Sequence, residues 1–314
     1  MSLSILIVNW NSTELLRKCL RTVRETCADL VLQIVVVDSG SFDGCCEMLE
    51  AEFSEVEFIQ SLENIGFGRS NNLGFQHVNG DYLLLLNPDT ELKPHAIATL
   101  MEAIQELPAA GLVSPRLINT DGLLQTSCVQ SLPTPLNQAL DCELLRRLFP
   151  SSRLWGNKAA FAASEPIEVE AVSGAAMLLR SDIFRLVGGF SAGFFMYGED
   201  MDLCAKLRQR GLKIYHVPGA TVVHHGGGSS SAQVSQFGTI MKRVAGEYYM
   251  RLNKGPAVSL LFRLLQGLSA FVRLSLLVLT NKIIHRQRRI QANASLQKWW
   301  YVLRWAMGAS HKRY

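Results

Sequence analysis

The sequence predicts an α/β fold built on a mostly parallel sheet with helices on both faces. From the N-terminus to about residue 114, short apolar runs alternate with longer stretches of helical period. The runs are apolar at nearly every position, as in strands that are covered on both sides. The chain has 314 residues, 48% of them hydrophobic, which is enough for one large domain with an appendage.

The elements of the first half follow one another in βαβ order. The first expected strand is 3–9 (LSILIVN), and Ser12 is the expected N-cap of a helix whose apolar face begins at Leu15 and Leu16. Further strands are expected at 31–38, 56–60, 81–87 and 110–115, with helices at about 42–53, 68–78 and 94–107. Strands and helices that alternate in this way predict a sheet flanked by helices.

Polar side chains follow three of these strands. Asn9 ends the first strand, Asp38 ends the second, and the segment LLLLNPDTEL (83–92) brings Asn87 and Asp89 directly after the leucine strand. Ligands of open α/β sheets bind at the carboxyl ends of the strands, so we expect a binding site there. The alternative is that Asp38 and Asp89 are turn residues, which are common after any strand.

A glycine-rich stretch, ENIGFGRSNNLGF (63–75), lies between these strand ends. Its glycines permit close backbone approach, and the amides of Asn71 and Asn72 can donate to a polar ligand. The spacing differs from the GxGxxG of dinucleotide-binding proteins, and the stretch follows the third strand. It therefore indicates a polar ligand of another kind.

The second half contains an acidic pair and a histidine pair. Glu199 and Asp200 open a helix after the aromatic and glycine-rich segment 193–198, which favours a place on a pocket wall. The alternative is a favourable interaction with the helix dipole. The segment TVVHHGGGSSS (221–231) ends an apolar run with His224 and His225, which favours a ligand followed by a mobile lid.

Charge and cysteine usage restrict the class of protein. The net charge is only +4, so the whole molecule has no strong field that would attract nucleic acid. The seven cysteines form no CxxC pair, and no apolar leader precedes Asn9. These features predict a cytoplasmic protein with reduced thiols.

Taken together, the motifs resemble family 2 glycosyltransferases of the GT-A fold, in the rhamnosyltransferase-like branch that builds bacterial cell-surface polysaccharides. The matching segments cover roughly residues 3–230 in family order and are SILIVNWN, VVVDSGSFDG, ENIGFGRSNNLGF, LLLLNPDTEL, SGAAMLLR, FFMYGEDMDLCAKLRQRG and VVHHGGGS. Two segments depart from the family pattern. Asn87 replaces the first aspartate of a DxD motif, and Ser39 and Cys45 replace asparagine and threonine.

The resemblance implies a Rossmann-like GT-A sheet with a C-terminal helical appendage, and an inverting transfer from a nucleoside-diphosphate sugar. Rhamnose is one candidate sugar, and the acceptor would be a saccharide, lipid-linked in this branch. Asp200 would be the general base, supported by Glu199. Asp89 and His224, with His225 as the alternative, would bind Mn²⁺ or Mg²⁺. The donor-binding residues implied are Asn9, Asp38, Asn71, Asn72 and Asn87.

Two other functions agree with parts of the sequence. A sugar nucleotidyltransferase shares the sheet and the nucleotide, but needs a glycine-rich basic loop where residues 9–16 read NWNSTELL. A non-catalytic, membrane-associated sugar-binding protein does not need the acidic and histidine residues. Hydrolysis of a donor by the purified protein distinguishes an enzyme from this last class.

The sequence changes character in two regions outside the motifs. Residues 116–168 break the regular pattern, and the family uses this region on the acceptor side. We expect a catalytic domain at 1–250 and a helical segment at 251–314, with a basic cluster at 285–289 and several tryptophans. Its apolar runs are shorter than 18 residues, so we expect no transmembrane helix but peripheral contact with the inner face of the cytoplasmic membrane. The alternatives are a helical layer on the catalytic domain or a subunit contact, and the oligomeric state stays open.

Overall fold

The computed structural model describes residues 2–27, 31–149, 152, 154–155, 158–226, 236–281 and 289–308. The chain divides into two compact units. The first consists of Met1–Leu132, Gly156–Phe195 and Glu199–Ser231, and the second of Pro133–Trp155, Met196–Gly198 and Ala232–Tyr314. The division into 1–250 and 251–314 stays a prediction.

The five strands and four helices expected of the first 114 residues are all found, with ends that differ by a few residues. In chain order the elements are β1 (Ser2–Asn9), α1 (Thr13–Thr26), β2 (Val31–Ser39), α2 (Cys45–Glu52), β3 (Glu57–Ser61), α3 (Phe67–Phe75), β4 (Tyr82–Leu86), β5 (Thr90–Leu92), α4 (Ala96–Glu106), β6 (Ala110–Ile118), β7 (Val129–Gln130), α5 (Pro135–Leu140), α6 (Glu143–Leu148), α7 (Lys158–Ala162), β8 (Ile167–Val169), β9 (Ala171–Val172), β10 (Ala176–Arg180), α8 (Ser181–Leu186), α9 (Glu199–Gln209), β11 (Lys213–His224), α10 (Gln236–Lys254), α11 (Pro256–Asn281) and α12 (Arg289–Ala306).

The first unit is built on a sheet of nine strands within the described residues. Its order is β3-β2-β1-β4-β10-β6-β11-β5, with β8 paired to β11. The strands β3, β2, β1 and β4 are parallel, and so are β6 and β11. The strand β10 is antiparallel to both β4 and β6, because the chain returns to the edge at which β6 ended. The predicted sheet with flanking helices is confirmed, and it is mixed.

The core of this unit follows the predicted apolar pattern. Leu83 to Leu86 are at most 2% exposed, and the apolar face of α1, which includes Leu16, is buried against the sheet. Ser12 does occupy the N-cap position of α1, but its hydroxyl makes no capping hydrogen bond. It donates instead to Asn9 Oδ1 at 2.9 Å. The predicted N-cap position of Ser12 is confirmed.

Two glycines of the ENIGFGRSNNLGF stretch serve internal packing. A Cβ at Gly74 would overlap Leu6 and lie 2.7 Å from Val37 Cγ2, so a side chain here would push α3 away from the sheet. Gly66 has a φ of +87°, and a Cβ there would overlap the carbonyl oxygen of Phe195. Both positions therefore require glycine for reasons that involve no ligand.

Helices are the only regular secondary structure among the described residues of the second unit. Tyr249, Phe262 and Trp305 are buried in it, with the Phe262 and Trp305 ring centroids 6.2 Å apart. One helix among the described residues, Pro256–Leu279, is long and apolar enough, by length and composition alone, to cross a membrane. Of the most apolar 18-residue stretch of this helix, 17% is buried. Of the predicted basic cluster, residues 285–288 lie outside the described residues, as do residues 227–231 of the predicted lid.

Candidate active site

The carboxyl ends of the strands collect at one edge of the sheet. Asn9 is the register partner of Asp38, which in turn pairs with Gln60. Because β1 and β4 are also parallel, Asn87 follows β4 at this edge. The antiparallel β10 brings its amino end here, and β11 ends here at His224. One edge therefore carries the polar strand ends that the sequence analysis singled out.

Asp38 is buried and shapes the loop after β2. Its Oδ1 accepts from Asn9 Nδ2 at 2.8 Å and from the Ser41 hydroxyl. Its Oδ2 accepts from Gln60 Nε2 at 2.7 Å and from the backbone N–H groups of Ser41 and Phe42. Burial raises the pKa of Asp38, but the hydrogen bonds from Ser41, Gln60 and Asn9 outweigh it and hold the pKa below its ordinary value. A contact of Asp38 with a nucleotide stays a prediction.

Asn9 connects this loop to the first helix. Its Nδ2 also donates to Asp43 Oδ1 at 3.1 Å, and Asp43 accepts from the backbone N–H of Thr13 at 3.1 Å. Sequence reasoning did not single out Asp43 or Gln60. The second aspartate of VDSGSFDG was an available signal for Asp43, whereas the role of Gln60 depends on the register of β3 with β2.

The side-chain amides of the two asparagines of α3 form hydrogen bonds with backbone groups of the protein. Asn71 is 1% exposed, and its Nδ2 donates to Phe67 O at 3.0 Å. Asn72 Nδ2 donates to Phe190 O at 2.8 Å, while Asn72 Oδ1 accepts from Phe190 N at 2.9 Å. The Asn72 amide thereby holds the backbone of Phe190 at both of its polar groups. Contacts of Asn71 and Asn72 with a donor stay predictions.

The turn after β4 is held from two sides. Asn87 O accepts from Thr90 Oγ1 at 2.7 Å, and Asn87 N donates to Ala175 O at 2.9 Å. Asn87 Oδ1 is buried and accepts no hydrogen bond from the described residues. Such an oxygen is costly unless a ligand satisfies it, so it marks a binding position. Burial raises the pKa of the neighbouring Cys19 thiol to about 12.

His224 faces Asp89 where β5 and β11 pair. Its Nε2 lies 3.2 Å from Asp89 Oδ1, and the two side chains are 15% and 13% exposed. Gln125 Nε2 donates to His224 O at 2.9 Å, and Gln125 Oε1 lies 2.8 Å from His224 Nδ1. A backbone carbonyl can only accept, so the amide orientation is fixed and Nδ1 must donate to Oε1. In the neutral ring, Nε2 then directs its lone pair at the carboxylate.

A lone pair and a carboxylate repel, so a bound cation between them would stabilise this arrangement. Metal-binding histidines commonly donate their other N–H to a fixed acceptor, as His224 does to Gln125. Among the described residues there is no group of three or more His, Cys, Asp or Glu suited to a metal. Metal binding by Asp89 and His224 stays a prediction; one carboxylate and one imidazole would leave a divalent ion to take its remaining ligands from phosphate and water oxygens.

His225 is directed elsewhere. Its Nε2 lies 2.7 Å from Glu91 Oε1, and its backbone N–H donates to Asp89 O at 2.9 Å. The backbone hydrogen bond fixes the turn that carries Asp89, and the ring is engaged by Glu91. The choice of His224 over His225 as the metal ligand stays a prediction.

Asp200 lies at the start of α9, half-buried. Its Oδ1 accepts from Met201 N at 2.8 Å and its Oδ2 from Gly174 N at 3.1 Å. Asn87 N donates to the oxygen of Ala175, which is the residue after Gly174. Asp200 and the Asn87 turn therefore contact consecutive residues of one segment. Burial raises the pKa of Asp200, and these N–H groups offset part of the rise. A carboxylate with a raised pKa is suited to accept a proton.

Glu199 has a different environment from Asp200. It is 7% exposed, and its Cβ would lie 3.7 Å from a Cβ at Gly68, on α3. The α3 terminus is also fixed by the hydrogen bond from Phe67 N to Phe195 O at 3.1 Å. Glu199 therefore packs beside α3, and the supporting role predicted for it stays a prediction.

Family models match most of the chain. One, described as Glycosyl transferase family 2, matches residues 4–183, and another, described as Glycosyl transferase family group 2, matches residues 143–310. The chain belongs to glycosyl transferase family 2. The resemblance found in the sequence is confirmed, and the nucleotidyltransferase and non-catalytic alternatives give way to a glycosyltransferase.

Two relatives with named activities share less than 30% sequence identity with this chain. N-acetylglucosaminyl-diphospho-decaprenol L-rhamnosyltransferase of Mycobacterium tuberculosis is 28% identical over 207 residues, 62% of this chain and 66% of that protein. Rhamnosyltransferase WbbL of Escherichia coli is 29% identical over 171 residues, 51% of this chain and 61% of WbbL. The matches thus span slightly less than two thirds of these relatives.

Solved structures share the fold at low identity. The mannosyltransferase PcManGT from Pyrobaculum calidifontis, in complex with GDP-Man and Mn²⁺, has a TM-score of 0.56 at 13% identity, covering 98% of this chain and 88% of PcManGT. Staphylococcus aureus TarS 1–349 has a TM-score of 0.52 at 13% identity, covering 100% and 93%. The expected GT-A-like fold with C-terminal helices is confirmed.

Proposed function

We propose that this glycosyltransferase is metal-dependent and inverting, and that it transfers a sugar from a nucleoside-diphosphate donor to a lipid-linked saccharide during synthesis of a cell-surface polysaccharide. Rhamnose is the candidate sugar, since two relatives bear the name rhamnosyltransferase. The observation that carries the proposal is the Asp89–His224 pair, whose imidazole is oriented by Gln125.

Asp89 and His224 would hold Mn²⁺ or Mg²⁺, with Mn²⁺ favoured by the imidazole ligand. The bound ion supplies Lewis-acid stabilisation of the charge that develops on the departing diphosphate. The structure of PcManGT, which shares the fold, is a complex with Mn²⁺, and this supports use of a divalent ion in this fold. The buried oxygen of Asn87 at the same strand end is a further position for a donor hydroxyl or a cation.

Asp200 would accept the proton of the attacking acceptor hydroxyl. The raised pKa supports this role, because a base whose pKa lies nearer to the working pH gives more driving force for proton transfer. One base and one in-line displacement give inversion at the anomeric carbon. The packed position of Glu199 beside α3 supports a role in positioning Asp200.

A cytoplasmic, peripheral membrane location suits a lipid-linked acceptor. The mycobacterial relative is named for a diphospho-decaprenol substrate, which is lipid-linked. The helix α11 also exposes large apolar side chains, such as Leu264 at 62% and Leu268 at 59%. A helix with one apolar face and cationic flanks lies in a membrane interface.

A panel of nucleotide sugars tests the proposal with the purified chain. We expect one donor to be hydrolysed or transferred, and excess EDTA to abolish this activity. Asp89→Ala and His224→Ala should lose the response to added Mn²⁺, whereas His225→Ala should keep it. Full turnover in excess EDTA contradicts the metal dependence, and loss in His225→Ala alone reassigns the ligand.

A further inference from the structure

The second unit carries a group of cations that the proposed reaction does not use. Three cationic groups surround the ring of Trp299. Arg273 Cζ lies 4.2 Å from the ring centroid, Lys298 Nζ 5.2 Å and Arg243 Cζ 5.9 Å. The three side chains, here named the Trp299 cluster, come from α10, α11 and α12. Three helices thus converge to bring like charges together.

Little negative charge compensates the cluster. Asp141 is the carboxylate whose charge raises the pKa of these three cations. It already accepts a hydrogen bond from Arg146 Nε at 2.6 Å. Arg273 donates to the backbone oxygens of Ala139 and Asp141 at 3.2 and 3.0 Å, which satisfies donors but not charge. Arg243 Nε is buried and has no hydrogen-bond acceptor within the described residues. The cluster therefore keeps a net positive charge, and the buried N–H group at Arg243 Nε can still donate to a ligand.

The energetics of the cluster favour an anion. Burial and, to a smaller extent, repulsion by Arg273 together lower the pKa of Arg243 to about 10. Burial and repulsion by Arg243, Lys242 and Arg273 likewise lower the pKa of Lys298. Partly buried like charges are unfavourable without a counter-charge, and guanidinium donors suit phosphate oxygens.

Hydrocarbon surface adjoins these charges on α11. Arg273 lies between exposed Val272 and exposed Leu276, which are 47% and 56% accessible. The exposed apolar residues of this helix recur every three or four positions and so share one face. They are Leu260, Leu261, Leu264, Leu268, Phe271, Val272, Leu276, Val278 and Leu279. A ligand that matches both features carries phosphate and hydrocarbon in one molecule.

We propose that the Trp299 cluster binds the diphosphate of a prenyl-linked saccharide, whose hydrocarbon contacts the exposed face of α11. A diphosphate carries more negative charge than the single phosphodiester of a phospholipid, and three cations match it better. The proposal rests on the proposed function only in taking a lipid-linked molecule as acceptor.

Calorimetric titration of the full chain with geranyl diphosphate tests this site. EDTA is present and the donor is absent, so that diphosphate binding through a metal at Asp89 is suppressed. We expect Arg243→Gln and Lys298→Gln each to weaken binding about tenfold. Lys254→Gln on α10 and Arg304→Gln on α12 are matched controls, because they remove the same charge from exposed positions of the same helices, and should change binding less than twofold.

Further ligands distinguish binding through the hydrocarbon from binding through the diphosphate. Geraniol and inorganic diphosphate should each bind at least tenfold more weakly than geranyl diphosphate. If dihexanoyl phosphatidylglycerol bound as tightly as geranyl diphosphate, the preference for a diphosphate would be overturned. If the control variants lost as much affinity as the cluster variants, the binding would depend only on the net charge of the chain, and the proposal would fail. Circular dichroism checks folding, and Arg273→Lys, which keeps the charge, supplies a milder variant. Sugar transfer is assayed separately, so a chain that fails to transfer can still bind the probe.

Discussion

Replacing Asp200 by asparagine separates proton transfer from packing. The two side chains have nearly the same size, and the amide oxygen can still accept one of the two backbone hydrogen bonds from Met201 and Gly174. The amide cannot accept a proton at neutral pH. The variant should therefore fold and bind donor, but lack the base.

The magnitudes differ between activity and stability. A positioned base contributes about 10²–10⁴-fold, so the barrier to transfer should rise by roughly 3–5 kcal/mol. One backbone N–H of Gly174 or Met201 loses its acceptor, which costs about 1 kcal/mol. Against this, the raised pKa means that wild-type stability falls as the pH rises through the folded pKa of Asp200, and the variant escapes that loss. We expect a net change in stability within about 1 kcal/mol at neutral pH.

Three measurements check these values. Single-turnover transfer gives the rate of the chemical step, titration with the nucleoside diphosphate gives donor-site affinity, and urea denaturation gives the free energy of unfolding. The pH profile of kcat/KM in the wild type adds a fourth. Its acidic limb should lie above the ordinary aspartate pKa of 3.8, because the pKa of Asp200 is raised in the free enzyme.

Glu199→Gln is the matched control, since it changes the neighbouring carboxylate in the same way. It should retain most of the turnover and the acidic limb of the profile. Near-normal turnover in Asp200→Asn together with lost turnover in Glu199→Gln would refute the assignment and make Glu199 the base. Loss of nucleotide affinity in Asp200→Asn would place its carboxylate in donor binding.

Three further predictions concern the rest of the site. Gln125→Ala should raise the Mn²⁺ concentration needed for half-maximal activity by about 10–100-fold, because His224 loses the acceptor that orients its ring, and a metal titration of activity checks this. Gly66→Ala should destabilise the chain by at least ~2 kcal/mol in urea denaturation, since its Cβ meets a backbone oxygen, whereas Gly211→Ala, with a φ of +77° and open space, should cost only about 1–2 kcal/mol. Asp38→Asn should lower stability at neutral pH, and the wild-type advantage should shrink as the pH falls below 3.8 and through the lowered folded pKa, as acid-denaturation curves of both proteins would show.

The sequence predicted what depends on local pattern. Buried strands and amphipathic helices have short periods, so the elements of the first 114 residues could be located to within a few residues. Strand ends at one edge follow from parallel pairing, which is why Asn9, Asp38 and Asn87 were expected together. The family resemblance then assigned roles that no periodicity contains.

Contacts between distant residues could not be predicted. Gln125 and His224 are separated by 99 positions, and nothing near Gln125 marks it as a partner of a histidine. The Trp299 cluster depends on three helices meeting, and the direction of β10 depends on where the intervening chain returns. The glycines of 63–75 were interpreted as permitting close backbone approach, but the sequence could not show that Gly66 and Gly74 are required by neighbouring backbone and side chains.

The loop after β2 is ordered by the protein itself. Because Asp38 already accepts hydrogen bonds from two backbone N–H groups and three side chains, residues 38–42 have their conformation before any donor arrives. Immobilising a side chain on binding costs about 0.5–1.5 kcal/mol, and a donor that bound at this preformed loop would avoid that cost. Donor association at this loop should therefore resemble docking onto a preformed surface, with little conformational entropy lost there, and its rate should be limited by encounter rather than by loop rearrangement.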